Sequence, residues 1–239
     1  ATARLVNELR PDLVLHLAAQ SSVGASSNAG GVTWAANAAG SIFLAEAIAK
    51  HARGATILNV SSSEVYGWSF LDGAASETTP LQPVSVYARS KAAGEAAFTD
   101  ILSSETRLIT VRPFNHTGPG QDERFVVPAF AAQIARIERG DQVPIISVGN
   151  LDAERELLDV RDVIDAYVLL IMRSPELPTR SVFNIARGQA IRIRDILEKL
   201  VNMSRVTLEV AEDPARMRAS DIPCARGDAI KIMEQIGWE

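Results

Sequence analysis

Tyr87 and Lys91 stand four residues apart in the stretch Tyr-Ala-Arg-Ser-Lys, on a segment that reads as a helix from about Val86 to Ser103. In a helix that spacing puts both side chains on one face. A free tyrosine has a pKa of about 10, too high for easy proton exchange at neutral pH. A lysine cation within a few ångströms stabilises the phenolate and is expected to lower that value. The pair would then serve as a general acid and base. Taken alone, the same spacing also describes an ordinary exposed helix face. A second group adds weight. Ser61-Ser62-Ser63-Glu64 follows directly on Thr56–Val60, an apolar run that reads as a buried strand. Open α/β sheets place their ligands at strand carboxyl ends. A hydroxyl from Ser62 could hold a carbonyl oxygen there, beside the Tyr87 hydroxyl. The plain alternative is a serine-rich turn capping the next segment.

The elements that must position these groups alternate between strand and helix. Residues 3–9 read as the end of a helix closed by Pro11. Asp12–Leu17 is a short apolar run typical of a strand covered on both faces. Thr33–Lys50 has helical character, and Leu108–Val111 is a third strand. After Pro113 the elements shorten. Helices are expected near Val127–Arg139, Val163–Met172, Ile193–Asn202 and Asp228–Ile236. Strands are expected at Ile145–Val148, Glu156–Leu158, Val182–Ile185 and Thr207–Val210. This is the pattern of a Rossmann-like, doubly wound parallel α/β sheet followed by a smaller lobe. Residues 1–115 would carry the first part of that sheet. Residues 116–239 would be mainly the substrate lobe, with some elements returning to the sheet.

Composition narrows the function. The 239 residues are 47% hydrophobic and carry a net charge of −5, without the basic stripe that a nucleic-acid surface needs. No apolar run approaches the ~20 residues of a membrane span. One cysteine, Cys224, fits a reducing, cytoplasmic setting. His16, His51 and His116 lack metal-ligand spacing, so no metal is expected.

Several motifs, in order, resemble the extended short-chain dehydrogenase/reductases. They are Ser-Ser-Ser-Glu-Val-Tyr-Gly at 61–67, the run Glu77…Pro80…Pro83…Tyr87-x-x-x-Lys91, and Arg112-Pro113-Phe114-Asn115. Leu17-Ala18-Ala19 is similar to that family's cofactor-lining strand end, and Asn37 to its helical asparagine. The resemblance implies that Ser62, Tyr87 and Lys91 are catalytic. Lys91 would also bind the nicotinamide ribose of NADP or NAD. Leu17, Ala18, Ala19, Asn37, Ser61, Tyr87, Pro113 and His116 would line the cofactor, and Ser63, Glu64 and Asn115 the sugar. For His116 a loop histidine without a role is the competing reading.

Within that family, His116-Thr117-Gly118-Pro119-Gly120-Gln121 looks more like GDP-6-deoxy-D-mannose reductases than UDP-sugar epimerases. Val127 lies in a helix similar to theirs. The segments holding Arg155 and Arg218-Ala-Ser-Asp221-Ile-Pro resemble nucleotide-contacting elements. Guanidinium forks suit a diphosphate, and Asp221 can accept from ribose hydroxyls. Surface salt bridges are the alternative for both arginines. Asp159, Asp162 and Asp165 read as capping and solvated residues. The implied reaction is NAD(P)H-dependent reduction of the 4-keto group of a GDP-4-dehydro-6-deoxyhexose. The alternatives are 4,6-dehydration of GDP-mannose with Glu64 as base and catalytic, 4-epimerisation, or silent nucleotide binding on the same fold.

The sequence departs from the family pattern in two ways. It has no G-x-x-G-x-x-G loop, and Gly24, Gly30 and Gly31 lack the spacing to replace it. The chain therefore reads as a fragment whose opening strand and ribose-selecting strand lie before Ala1. Glu156-Leu157-Leu158 also replaces the expected Asp-aromatic pair, which bears on how Arg155 is oriented. The resemblance further implies a homodimer. It would pair through the Tyr87 helix and the helix around Asn37–Lys50, using small residues such as Ala45, Ala47, Ala92, Ala93 and Ala96. A buried core helix would explain the same alanines.

Overall fold

The computed structural model describes residues 1–217 and 222–238. The first part contains α1 (Thr2–Leu9), β1 (Leu13–His16), α2 (Val23–Asn28), α3 (Gly30–Trp34), a π-helical turn at Ala35–Ala39, α4 (Gly40–His51), β2 (Thr56–Val60), α5 (Val86–Ile101) and β3 (Arg107–Pro113). There follow β4 (His116–Thr117), α6 (Val126–Glu138), β5 (Ile145–Val148), β6 (Glu154–Arg155), β7 (Leu158–Asp159), α7 (Val160–Met172), β8 (Arg180–Ile185) and β9 (Ile191–Arg192). The chain closes with α8 (Ile193–Asn202), β10 (Glu209–Glu212), β11 (Cys224–Ala225) and α9 (Ile230–Ile236).

The main sheet has the order β1-β2-β3-β8, and every pairing in it is parallel. Alternation along the strands builds a core on each face. Ile57 and Leu108 pack with Ala45, Ile48 and Phe98 of α4 and α5. Their neighbours Leu58 and Ile109 face the other way, onto Tyr66, Phe114 and the buried side of α7. A third cluster joins α6, α8 and β5 through Phe130, Ile134, Ile146, Ile196 and Leu197. Smaller ladders, β10-β5, β11-β6-β9 and β4-β7, tie the second half together.

Several expectations are corrected. Among the described residues β1 pairs with β2 alone, and Leu13, Leu15 and Leu17 are 42%, 43% and 58% exposed, while His16 on the opposite face is buried. Residues 156–158 do not form one strand. β6 ends at Arg155, and Leu158–Asp159 forms a separate strand paired with β4. The last strand shifts to 209–212. The helix expected from Thr33 begins at Gly30 and passes through the π-turn. That continuous 30–51 stretch is, by length and composition, long and apolar enough to cross a membrane, contrary to the sequence expectation. Its apolarity comes largely from short side chains. Its Asn37 and Ser41 are buried with hydrogen bonds inside the chain, and its Ala45, Ala47 and Ile48 pack in the core.

Two buried polar arrangements fix α5. On one side, Arg112 of β3 grips Glu95 of α5 with two bonds, Nε to Oε1 at 3.1 Å and Nη2 to Oε2 at 2.7 Å. Its Nη1 donates to the Tyr66 hydroxyl at 3.1 Å, and Tyr66 donates to Asn184 Oδ1 of β8 at 2.7 Å. The Arg112 guanidinium also lies over the Tyr66 ring. On the other side, His16 meets Ser41 Oγ at 3.3 Å and the edge of Phe98. Burial, with Lys91 nearby, lowers the His16 pKa from 6.5 to about 4. Ser85 caps the start of α5 by accepting from Ala88 N. Gly67, at φ 55°, lets the preceding turn approach so closely that a side-chain carbon there would sit 1.8 Å from Gln82 O.

Two outcomes follow from this packing. Removing the Glu95 carboxylate as Glu95→Ala leaves a buried unpaired guanidinium. Chemical denaturation should show a loss of about 3–5 kcal/mol, and a loss below about 1 kcal/mol would mean that solvent already reaches Arg112. His16 is buried neutral, so the unfolded chain binds more protons between pH 6.5 and about 4. Its contribution is present above pH 6.5 and is lost as the pH falls toward 4, by an amount on the order of 3 kcal/mol. Stability curves of His16→Phe should be flatter across that window, and identical curves would refute the assignment.

Candidate active site

Ser61 and Ser62 leave the end of β2, and Ser62 begins a short 3₁₀ turn over Ser63–Tyr66. Ser62 Oγ accepts from Glu64 N at 3.2 Å and hydrogen-bonds the Tyr87 hydroxyl. Ser61, Ser62, Ser63, Tyr87 and Lys91 are all buried, and Glu64 is half-buried. The i,i+4 spacing does place Tyr87 and Lys91 together on the inner face of α5. The expected electrostatics are different. The Tyr87 pKa is pushed up to about 12 by burial, with the Ser62 bond opposing and Glu64 adding to the rise. Lys91 Nζ reaches past Tyr87 and donates to Val60 O, the last carbonyl of β2, at 2.5 Å. Burial lowers the Lys91 pKa to about 8, against the pull of Glu95. In this arrangement the lysine does not depress the tyrosine. The site therefore holds a protonated phenol beside a serine hydroxyl, with an ammonium at the strand end behind them.

The rest of the predicted cofactor set divides into exposed and supporting residues. Leu17, Ala18 and Ala19 form an exposed strand end with two short side chains that leave the backbone accessible. Asn37 is buried, and its carboxamide works inside the chain. Its Oδ1 accepts from Gln20 N at 2.8 Å, and its Nδ2 donates to Gln20 O at 3.1 Å and Ser90 Oγ at 2.9 Å. Asn37 thus fixes the strand end to α5. Pro113 is buried at the end of β3. His116 is half-buried, with Nδ1 3.0 Å from Phe114 O. It borders an open depression of about 250 Å³ formed with Thr117–Gln121 and Val160.

Two buried oxygens at neighbouring strand ends, Gln20 Oε1 and Ser61 Oγ, have no partner among the described residues. An unsatisfied buried group of this kind costs about 1–3 kcal/mol. Hydroxyls and a carboxamide would satisfy both, so the donor set fits a nicotinamide nucleotide. Gln20 was missed in the sequence reading, and its only signal there was a polar residue after a pair of alanines.

The substrate-side residues are more dispersed. Asn115 is exposed, and its carbonyl accepts from Leu158 N. Val127 packs against the α6–α8 core. Arg155 is half-buried on β6, and its Nη1 donates to Glu154 O and Ile222 O, both at 2.8 Å. Arg218 and Asp221 lie outside the described residues. Asp159 caps α7 by accepting from Arg161 N, as its reading as a capping residue expects.

Comparison with known proteins agrees with this geometry. A family model described as GDP-mannose 4,6 dehydratase matches residues 1–239. A GDP-6-deoxy-D-mannose reductase of Pseudomonas aeruginosa is 34% identical over 96% of this chain and 75% of its own length. GDP-mannose 4,6 dehydratase 1 of Arabidopsis thaliana is 30% identical over 99% of this chain, which spans 65% of that relative. Among solved structures, RMD from Pseudomonas aeruginosa complexed with NADPH superposes with a TM-score of 0.85, 31% identity and coverage of 99% of this chain and 80% of that one. The UDP-glucose 4-epimerase of Thermus thermophilus with NAD gives 0.83 and 26%, over 100% of this chain and 75% of that one. The chain belongs to the family described as GDP-mannose 4,6 dehydratase, and is an NAD(P)-dependent enzyme of the extended short-chain dehydrogenase/reductase type.

Proposed function

We propose that this protein reduces the 4-keto group of a GDP-4-dehydro-6-deoxyhexose, giving a GDP-rhamnose-type product. The observation that carries this reading is the gathering of Ser62, Tyr87 and Lys91, all buried, at the end of β2. The Tyr87 hydroxyl is the group placed to protonate a carbonyl oxygen there. Ser62, hydrogen-bonded to that hydroxyl, supplies a second donor for the same carbonyl oxygen. Lys91 lies one turn along the same helix face, with its ammonium on Val60 O at the strand end. Bound NADP or NAD in its reduced form supplies the hydride. Leu17–Ala19, Ser61, Pro113 and His116 would line its site, Asn37 would brace the strand end, and Lys91 would bind its ribose. Ser63, Glu64, Asn115 and Val127 would surround the sugar. Arg155, Arg218 and Asp221 would hold the nucleotide. The relative named GDP-6-deoxy-D-mannose reductase supports the substrate class.

A second reading has its own support, since the matching family model is described as a dehydratase. There Glu64 would act as the base, and its place two residues after Ser62 allows this. Residues 1–115 would form the partial cofactor domain and 116–239 mainly the substrate lobe. A homodimer in the cytoplasm fits the family, but Ala45 and Ala47 are buried in this chain's own core and cannot line its interface.

Replacing Tyr87 with Phe should lower kcat about 10²–10⁴-fold while the melting temperature stays close to that of the unmodified protein. A near-normal kcat would remove Tyr87 from the chemistry. The choice between readings is tested in the full-length protein by supplying GDP-mannose with oxidised cofactor, then GDP-4-dehydro-6-deoxymannose with NADH or NADPH, and following absorbance and products. We expect reduction of the second and no dehydration of the first, with Glu64→Gln retaining a substantial part of the reductase activity. Dehydration without reduction would establish the alternative.

A further inference from the structure

Glu156 is fully buried, and its carboxylate accepts from three backbone amides on two separate segments. Oε2 takes Arg187 N at 2.5 Å and Gly188 N at 3.1 Å, just beyond β8, and Oε1 takes Gly227 N at 2.5 Å, just beyond β11. Burial raises its pKa and the three amides oppose that rise. The segment it holds is packed without slack. A side-chain carbon on Gly227 would lie 2.6 Å from the Phe114 ring and 2.7 Å from Ala186 Cβ. The preceding residue in the chain, Arg155, is bound to the same segment from the other side, through Ile222 O and the β6–β11 pairing of Arg155 with Ala225. The dipeptide 155–156 therefore joins the end of the main sheet, at 187–188, to residues 222–227.

We propose that Glu156 is a positioning residue for nucleotide binding: by tying 187–188 to Gly227 its carboxylate sets the placement of the adjoining Arg155, which is bound to the same 222–227 segment. This rests on the reading of Arg155 as a diphosphate ligand. A carboxylate suits the task because it can accept from all three amides at once. A glutamine at the same place brings an amide NH₂ against N–H donors and loses at least one of those bonds. The shorter aspartate keeps the charge and the acceptors. The effect falls on binding, because Glu156 bonds only Arg187, Gly188 and Gly227 and none of Ser62, Tyr87 or Lys91.

The test measures GDP affinity by calorimetry and steady-state kinetics on the nucleotide sugar in the full chain. Glu156→Gln should weaken GDP binding about tenfold and raise KM similarly, with kcat within about threefold, and Glu156→Asp should restore most of the affinity. An unchanged Kd for GDP in Glu156→Gln, or equal losses in kcat and stability without a change in Kd, overturns the proposal. Should Glu156→Gln fail to fold, amide exchange in the unmodified chain decides. GDP should slow exchange at Gly188 and Gly227, and no change at either overturns the proposal. Arg155→Ala separates the two layers. If it leaves GDP affinity unchanged, the reading of Arg155 fails. If it weakens binding while Glu156→Gln does not, the positioning role alone fails.

Discussion

The contact between Arg112 and Glu95 sets the frame on which the chemistry rests. Arg112 stands on β3, one residue before Pro113, where the chain leaves the sheet toward Asn115 and His116. Glu95 lies one helical turn beyond Lys91 on α5. A bidentate pair between two such elements fixes rotation as well as distance, because a guanidinium fork and a carboxylate must be coplanar to make both bonds. The helix cannot roll about its axis without breaking the pair, so Tyr87 and Lys91 hold their direction. Burying two charges is costly unless every remaining donor is used. Here the spare Arg112 nitrogen donates to the Tyr66 hydroxyl and Glu77 O, and the Tyr66 hydroxyl donates in turn to Asn184 Oδ1. The motif tyrosine at 66 is therefore a structural link. The turn carrying Ser62 and Glu64 is anchored to the same network that orients α5.

The same burial explains the unexpected electrostatics. Desolvation penalises charge on both Tyr87 and Lys91, raising one pKa and lowering the other. The two groups are thus driven toward their neutral forms, which is the opposite of an activated phenolate–ammonium pair.

How much of this could be read from the sequence depended on range. Tyr87 and Lys91 announce themselves because helical periodicity is local, and Ser62 because it follows a strand. Asp159 was legible as a cap for the same reason. The Arg112–Glu95–Tyr66–Asn184 network joins residues up to 118 positions apart and leaves no local pattern. Glu156 was hidden by its type. A charged residue between Arg155 and two leucines reads as a surface strand position, and only the fold shows three amides converging on it.

Asn37 shows how a residue can serve a site without facing it. Its amide bonds both the N–H and the C=O of Gln20, as a neighbouring strand would, and its remaining proton goes to Ser90 on α5. The π-turn at Ala35–Ala39 adds a residue to the helical turn, and Asn37 sits at its centre. The Asn37 carbonyl accepts from Ser41, which in turn meets His16. β1, the apolar helix and the catalytic helix are therefore joined by one chain of small polar side chains running beneath the strand end. Gly94 permits this closeness, since a side-chain carbon there would lie 2.9 Å from Ser41 Oγ. Helices held this tightly cannot shift independently, so the end of β1 and the helix bearing Tyr87 keep a fixed relation.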